Sequence, residues 1–322
     1  MRIAINGLGR VGRQVLRQAL ERPDVEVAAL NDLGDPGVLA HLARYDSVHG
    51  PAAFQAEGRD GALVLDGRPI KLTADPEPGA FRNAGAEVVL ECTGRHTSLA
   101  AASRHLGGSV RRVLVSAPLA GNGPGLLPGL APAAPPPPVA GAGCASAHAL
   151  ALLLDVLHDR FGVEAAMATA VESYGNDQRI LDLPHADPRM ARAAAMSMIP
   201  APTEAAACLA QARPWTRDRL EVLAVRVPTP DVSIVDLGVR LAREATPDAV
   251  LEAFRAAARP GLLEILEAPL VSVDLRGRRA SCILDPYLTR ILSPRFVKVF
   301  GWYDNEAAYA ARLLDLCGEA SR

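Results

Sequence analysis

Four short apolar runs, Arg2–Asn6, Glu26–Asn31, Glu87–Glu91 and Arg112–Ala117, alternate with stretches of helical periodicity at Gly12–Glu21 and Leu99–Leu106. Such alternation predicts a parallel sheet covered by helices on both faces. Residues 119–138 break the pattern: Gly, Pro and Ala dominate, and Pro135 to Pro138 are consecutive, which predicts an extended surface connection. Val139 restarts a short strand that leads through Gly143-Cys144-Ala145-Ser146 into a helix reaching about Asp159, with Leu150, Leu153, Leu154, Leu157 and Phe161 on its inner side. From residue 165 the runs lengthen, at Val222–Val227, Val232–Arg240, Leu270–Leu275, Ala280–Leu284 and Phe296–Trp302, as suits a mostly antiparallel sheet. One helix interrupts them, with Thr246 as N-cap, Pro247 in the first turn and Ala249–Ala258 following. A last helical stretch from Asp304 to Leu316 is expected to return to the first domain. The pattern therefore predicts an α/β domain of residues 1–143 plus 304–322 and an α+β domain of residues 144–303.

Composition narrows the function classes. A chain of 322 residues is long enough for two cores, and a net charge of −2 encodes no pull toward nucleic acid or membrane. Cys92, Cys144, Cys208, Cys282 and Cys317 show neither metal spacing nor an even disulfide framework, which suggests reduced thiols and no metal centre. No signal-peptide pattern and no run of membrane-spanning length is legible, so a cytoplasmic protein is expected. Arginine is frequent and lysine is limited to Lys71 and Lys298, a compositional bias without functional weight.

Chemistry enters at the first strand, which runs straight into Gly7-x-Gly9-x-x-Gly12 and a helical pattern. Strand, glycine turn and helix in this order form a dinucleotide-binding turn: the glycines let the backbone approach a pyrophosphate, whose charge sits on the helix N-terminus. Asp32 closes the second strand about 20 residues later, where an acid binds both ribose hydroxyls and repels an adenosine 2′-phosphate. The first domain is thus read as a Rossmann domain for NAD. The segments Glu91-Cys-Thr-Gly94 and Ser116-Ala-Pro118 follow strands at their carboxyl ends, the edge at which open α/β sheets bind ligands.

With these motifs in view the chain resembles the phosphorylating glyceraldehyde-3-phosphate dehydrogenase family, including its erythrose-4-phosphate relatives. The resemblance runs over nearly the whole length. It rests on Asn6-Gly-Leu-Gly-Arg-Val-Gly-Arg13, Asn31-Asp-Leu33, Tyr45-Asp-Ser-Val-His-Gly50 and Glu91-Cys-Thr-Gly94, and continues through Asn176-Asp-Gln-Arg179, Leu181-Asp-Leu-Pro-His185, Ala224-Val-Arg-Val-Pro-Thr-Pro230 and Trp302-Tyr-Asp-Asn-Glu306. It implies a homotetramer with a long loop near residues 173–203 at a subunit interface. It also implies that Gly9, Arg10 and Val11 contact the pyrophosphate and Asp32 the adenosine ribose. Thr93, Gly94 and Ser116 would lie on the cofactor's inner side, Asn305 on the nicotinamide amide, and Tyr309 along the nicotinamide pocket. Asp177, Thr203 and Arg226 fall on positions that hold substrate phosphate, a task suited to a guanidinium.

The family's chemistry uses a cysteine thiolate paired with a histidine. Here the family's His-Ser-Tyr-Thr-Asn-Asp-Gln reads Glu172-Ser-Tyr-Gly-Asn-Asp-Gln178, so Glu172 takes the histidine's place and Gly175 that of a phosphate-binding threonine. The cysteine motif is eroded too. The local match Gly-Cys-Ala-Ser puts Cys144 at the nucleophile position, whereas gap-free counting back from Leu157-His-Asp-Arg-Phe-Gly162 puts Ala145 there. A carboxylate about 4 Å from a thiol would oppose the thiolate by about 4 kcal/mol at an effective dielectric near 20, so Glu172 is expected to suppress sulfur chemistry. His148, one helical turn beyond Cys144, is a candidate base or a core histidine. Glu204 and the pair Ala307-Ala308 further depart from the family. Three readings follow: an NAD-dependent oxidoreductase of a small phosphorylated aldehyde or alcohol with Glu172 as base; an ordinary phosphorylating aldehyde dehydrogenase using Cys144; and an inactive NAD-binding homologue acting as sensor or scaffold.

Overall fold

The computed structural model describes residues 1–121, 123–129 and 137–319. Two units make up the chain: Met1–Leu126 with Ala133–Gly143 and Tyr309–Arg322, and Leu127–Pro132 with Cys144–Ala308.

In the first unit the apolar runs form strands where the pattern places them. The order along the chain is β1 (Arg2–Asn6), α1 (Arg10–Leu20), β2 (Glu26–Asn31), α2 (Pro36–Arg44), β3 (Ala56–Arg59), β4 (Ala62–Leu65), β5 (Arg68–Thr73), β6 (Val88–Glu91), α3 (Leu99–Ser103), β7 (Arg112–Val115) and β8 (Val139–Gly141). They build one sheet in the order β3-β4-β5-β2-β1-β6-β7-β8. The pairs from β5 to β8 are parallel, and β3–β4–β5 adds an antiparallel edge. Chain order reverses at β1, whose neighbours are β2 and β6, so the loops after β1 and β6 open a crevice at the carboxyl edge. Part of the proline run, Pro135 and Pro136, falls outside the described residues.

The second unit holds α4 (Ala145–Phe161), β9 (Val163–Ser173), β10 (Ile199–Ala201), α5 (Ala205–Ala212), β11 (Leu220–Val227), β12 (Ser233–Leu241), α6 (Pro247–Ala257), β13 (Leu263–Ile265), β14 (Cys282–Leu284), β15 (Arg290–Ser293) and β16 (Phe296–Tyr303). Its sheet runs β10-β11-β9-β12-β16-β14-β13, with β15 on β16. Most pairs are antiparallel, but β9–β11 and β13–β14 are parallel. Leu150, Leu153, Leu154 and Leu157 of α4 are buried among Val235, Leu237, Val239 and Val299, which makes this helix the centre of the second core. Thr246 caps α6 by accepting from the Ala249 N–H at 3.2 Å.

Two expectations change. Leu270–Leu275 is no strand: Ser272–Leu275 is a 3-10 turn, closed when the Asp274 carboxylate accepts the Val271 N–H at 3.0 Å, and Val271 and Val273 face solvent. The last helix, α7 (Ala307–Glu319), starts three residues later than the pattern suggests, because Asp304 acts as its cap by accepting from the Glu306 and Ala307 N–H groups.

Candidate active site

The crevice of the first unit has a volume of about 220 Å³ and is lined by residues that include Gly7, Gly9, Asp32 and Thr93. Gly7 has φ +92°, and a Cβ on Gly12 would come within 1.9 Å of the Gly7 carbonyl oxygen, so α1 can lie this close to β1 only with glycine there. A Cβ on Gly9 would meet nothing within 4 Å: the space over the start of α1 is open. No side chain caps α1 and no acid sits in its first turn, whereas α2 and α3 are capped by Asp35 and Ser98. A helix start without a side-chain cap, facing open space, suits a pyrophosphate. Asp32 is aimed at the same loop by the Leu8 N–H (2.6 Å) and the Gly34 N–H (2.9 Å).

Below this loop lies a buried polar cluster that the pattern of the chain does not reveal. Glu91, 1% exposed, accepts from Asn6, from the Thr93 N–H (2.8 Å) and hydroxyl, and contacts His105 at 3.0 Å. Burial pushes its carboxyl up, but the hydrogen bonds from His105, Thr93 and Asn6 outweigh it and hold the group below the ordinary range. The cluster fixes Thr93 against the glycine turn. Gly94 takes φ +69° to turn the chain away, and Ser116 sits beside Cys92. The Arg10 side chain forms a two-pronged pair with Asp46 at 2.8 and 3.2 Å. Tyr309 is buried and donates to the Gly143 carbonyl at 2.7 Å, immediately before Cys144; the crevice does not include it among its lining residues.

In the second unit Cys144 is the N-cap of α4 and Ala145 is its first helical residue. The sulfur lies 3.4 Å from the Ser146 hydroxyl. A hydrogen bond from the Cys208 thiol, on α5, is the largest influence on it and stabilises the thiolate. Burial opposes this, the Ser146 hydroxyl and the Ala147 N–H support it, and the Glu172 carboxylate opposes it; the net effect lowers the Cys144 thiol below the ordinary cysteine range. Cys208 is displaced upward by the same contact, as the partner that keeps its proton. Glu172 acts in the expected direction, against the thiolate, with the Cys208, Ser146 and Ala147 contacts acting the other way.

Strand register sets the surroundings of Glu172. Glu172 on β9 faces Arg226 on β11, and the Arg226 Nη2 is 3.3 Å from the Glu172 Oε2. Arg226 also donates to the Ser173 carbonyl at 3.0 Å, and its Nε is buried without an acceptor. Ser173 is fixed in turn, its N–H donating to the Ser233 hydroxyl (3.1 Å) and its hydroxyl to the Val232 carbonyl (3.0 Å). Val232 adopts φ +65°, a strained conformation for a β-branched residue, and so turns Ser233 to donate to the Asn305 side chain at 3.3 Å. Thr203 accepts from the Ala205 N–H, and the exposed Asp177 carboxylate sits against Gly175. His148 is buried on α4.

Two members of the site are missed by motif reading. Tyr303, at the end of β16 and 1% exposed, lacks a well-formed hydrogen bond for its hydroxyl. Burial, then the charges of Glu172 and Cys144, push that hydroxyl well above the ordinary tyrosine range. Cys208 carries no local signal beyond being one of five scattered cysteines; only the packing of α5 brings it to Cys144.

Residues 1–99 match the family model of the glyceraldehyde 3-phosphate dehydrogenase NAD binding domain, and residues 144–305 match that of the C-terminal domain. The chain is 44% identical over 324 residues to glyceraldehyde-3-phosphate dehydrogenase 1 of Bacillus cereus, covering 98% of this chain and 97% of that protein. Identity to the Geobacillus stearothermophilus enzyme of that name is 42% over 325 residues, with the same coverage. The Kitasatospora aureofaciens protein is 44% identical over 324 residues, again covering 98% and 97%.

Proposed function

The chain belongs to the glyceraldehyde-3-phosphate dehydrogenase family, and within that family we propose that it oxidises a small aldehyde through the Cys144 thiolate, with Glu172 in the place of the family's histidine. NAD is the cofactor, and when bound it accepts the hydride. Gly7, Gly9, Gly12, Asp32, Thr93, Gly94 and Ser116 are assigned to holding it, with the backbone of Arg10 and Val11; Asn305 is assigned to the nicotinamide amide.

The observation that carries the reading is the placement of Cys144 as N-cap of the 17-residue α4, with its sulfur 3.4 Å from the Ser146 hydroxyl. A helix N-terminus favours the anion, and the thiolate is the form that attacks an aldehyde carbon. Arg226 pairs with Glu172, and the Tyr303 hydroxyl, kept protonated by burial and the neighbouring charges, is assigned as a donor to the aldehyde oxygen. Asp177, Thr203 and Arg226 fall on the family's substrate-phosphate positions, but Arg226 is held by Glu172, so the reading does not require a phosphorylated aldehyde. We place the protein in the cytoplasm as a homotetramer. Support for assembly comes from the loop between β9 and β10, which exposes Ile180 (85%), Leu181, Leu183, Met196 (83%) and Met198. Among the described residues no helix is long and apolar enough to cross a membrane.

NADH formation with glyceraldehyde 3-phosphate and with unphosphorylated short aldehydes tests the reading. Wild type is expected to turn over at least one of them and Cys144→Ala none. Turnover by Cys144→Ala at the wild-type rate would shift the chemistry to Glu172 acting as base without a covalent step. NAD binding with no turnover of any aldehyde or alcohol would leave a sensor or scaffold.

A further inference from the structure

We propose that the acyl group carried by Cys144 is released by water and not by inorganic phosphate, with Glu172 taking the proton, so that the product is a free carboxylate. The proposal rests on the reading of Cys144 given above and adds the fate of its thioester.

The guanidinium that would receive a phosphate is already engaged. Arg226 Nη2 faces Glu172 at 3.3 Å, Nη1 donates to the Ser173 carbonyl at 3.0 Å, and Nε is buried. The pair is built into the sheet, since Glu172 and Arg226 are register partners on parallel strands. An incoming dianion would have to break it and approach a carboxylate. A second acid, Glu204, stands as the N-cap of α5, at the helix end an anion would use. Water carries no charge and meets none of these obstacles.

The same pair leaves a base in place. Arg226 contacts Glu172 Oε2, and Oε1 has no partner among the described residues. A carboxylate steadied through one oxygen and free at the other can accept a proton from water. In the step itself the water oxygen bonds to the thioester carbon and one water proton passes to Oε1. The carbon–sulfur bond then breaks, with its electron pair returning to the Cys144 sulfur. The acid formed ionises, Glu172 passes its proton to solvent, and nothing is oxidised or reduced in this half of the cycle.

The test uses the full chain without cofactor and p-nitrophenyl acetate as probe. A burst of nitrophenolate reports acylation of Cys144, the following steady rate reports deacylation, and both are read with and without inorganic phosphate. The expected result is a burst absent in Cys144→Ala, deacylation indifferent to phosphate, and acetate as the only product. In Glu172→Gln the burst persists and deacylation slows by about 100-fold, the lower range for loss of a general base; Glu172→Asp recovers part of it. Acetyl phosphate as product, deacylation rising with phosphate, or a Glu172→Gln protein deacylating at the wild-type rate would overturn hydrolytic release while leaving Cys144 as acyl carrier. No Cys144-dependent burst would overturn both. If Glu172→Gln fails to fold, the phosphate comparison on wild type decides alone.

Discussion

Glu172 and Arg226 stand opposite each other on neighbouring parallel strands, 3.3 Å apart, with Glu172 only 13% exposed on its side chain. The pairing gives the Glu172 carboxylate a cationic partner of its own. Arg226→Ala leaves that carboxylate unpaired in a largely buried position. Alkylation of Cys144 by iodoacetamide at neutral pH is expected to slow by about tenfold, equivalent to about 1.4 kcal/mol, with Arg226→Lys between the two. An unchanged rate would show that the pair does not act on the sulfur.

The Cys208 thiol is the principal group favouring the Cys144 thiolate. Cys208→Ala removes the donor and is expected to move the midpoint of the Cys144 alkylation profile to higher pH. Cys208→Ser keeps a donor and should leave the midpoint near that of wild type. Equal shifts in the two variants would mean that packing, and not the hydrogen bond, is responsible.

The glycine turn makes a steric prediction. A methyl at position 12 would stand 1.9 Å from the Gly7 carbonyl, so Gly12→Ala must push α1 off the sheet. NAD affinity by calorimetric titration should fall by at least about tenfold, whereas Gly9→Ala, with open space around its Cβ, should fold normally and lose affinity only where the added methyl meets the pyrophosphate.

Glu91 links stability to pH. Its folded-state carboxyl lies below the ordinary range, so its contribution is complete above the unfolded-state value, near 4.3 for a glutamate, and is lost as pH falls through the folded value. Glu91→Gln should cost about 1–3 kcal/mol at neutral pH, and that difference from wild type should shrink in acid. Urea unfolding at several pH values reads it directly; a constant difference would contradict the assignment.

The fold was legible wherever apolar residues kept a period. β1, β2 and β8 coincide with the runs that predict them, and Thr246-Pro247 announces α6. The Val271–Leu275 segment misleads because an Asp274 side chain closes a turn that its valines disguise as a strand. β9 is hard to see, since Ala165, Ala166, Ala168 and Ala170 carry little pattern, although it is held on both sides by β11 and β12. The cofactor loop could be read from the first 12 residues. The balance of charge around Cys144 could not, because Arg226 and Cys208 lie more than 50 residues from the groups they contact and only the register of β9 on β11 and the seat of α5 bring them there.

The central claim concerns one thiol. Iodoacetamide alkylation of wild-type protein across pH, with Cys144 followed by mass mapping, measures it directly. The expected midpoint lies below that of a free cysteine, about 8.5, and moves lower still in Glu172→Gln, which removes the opposing charge. A midpoint at or above the free value in wild type would contradict a thiolate at this helix start.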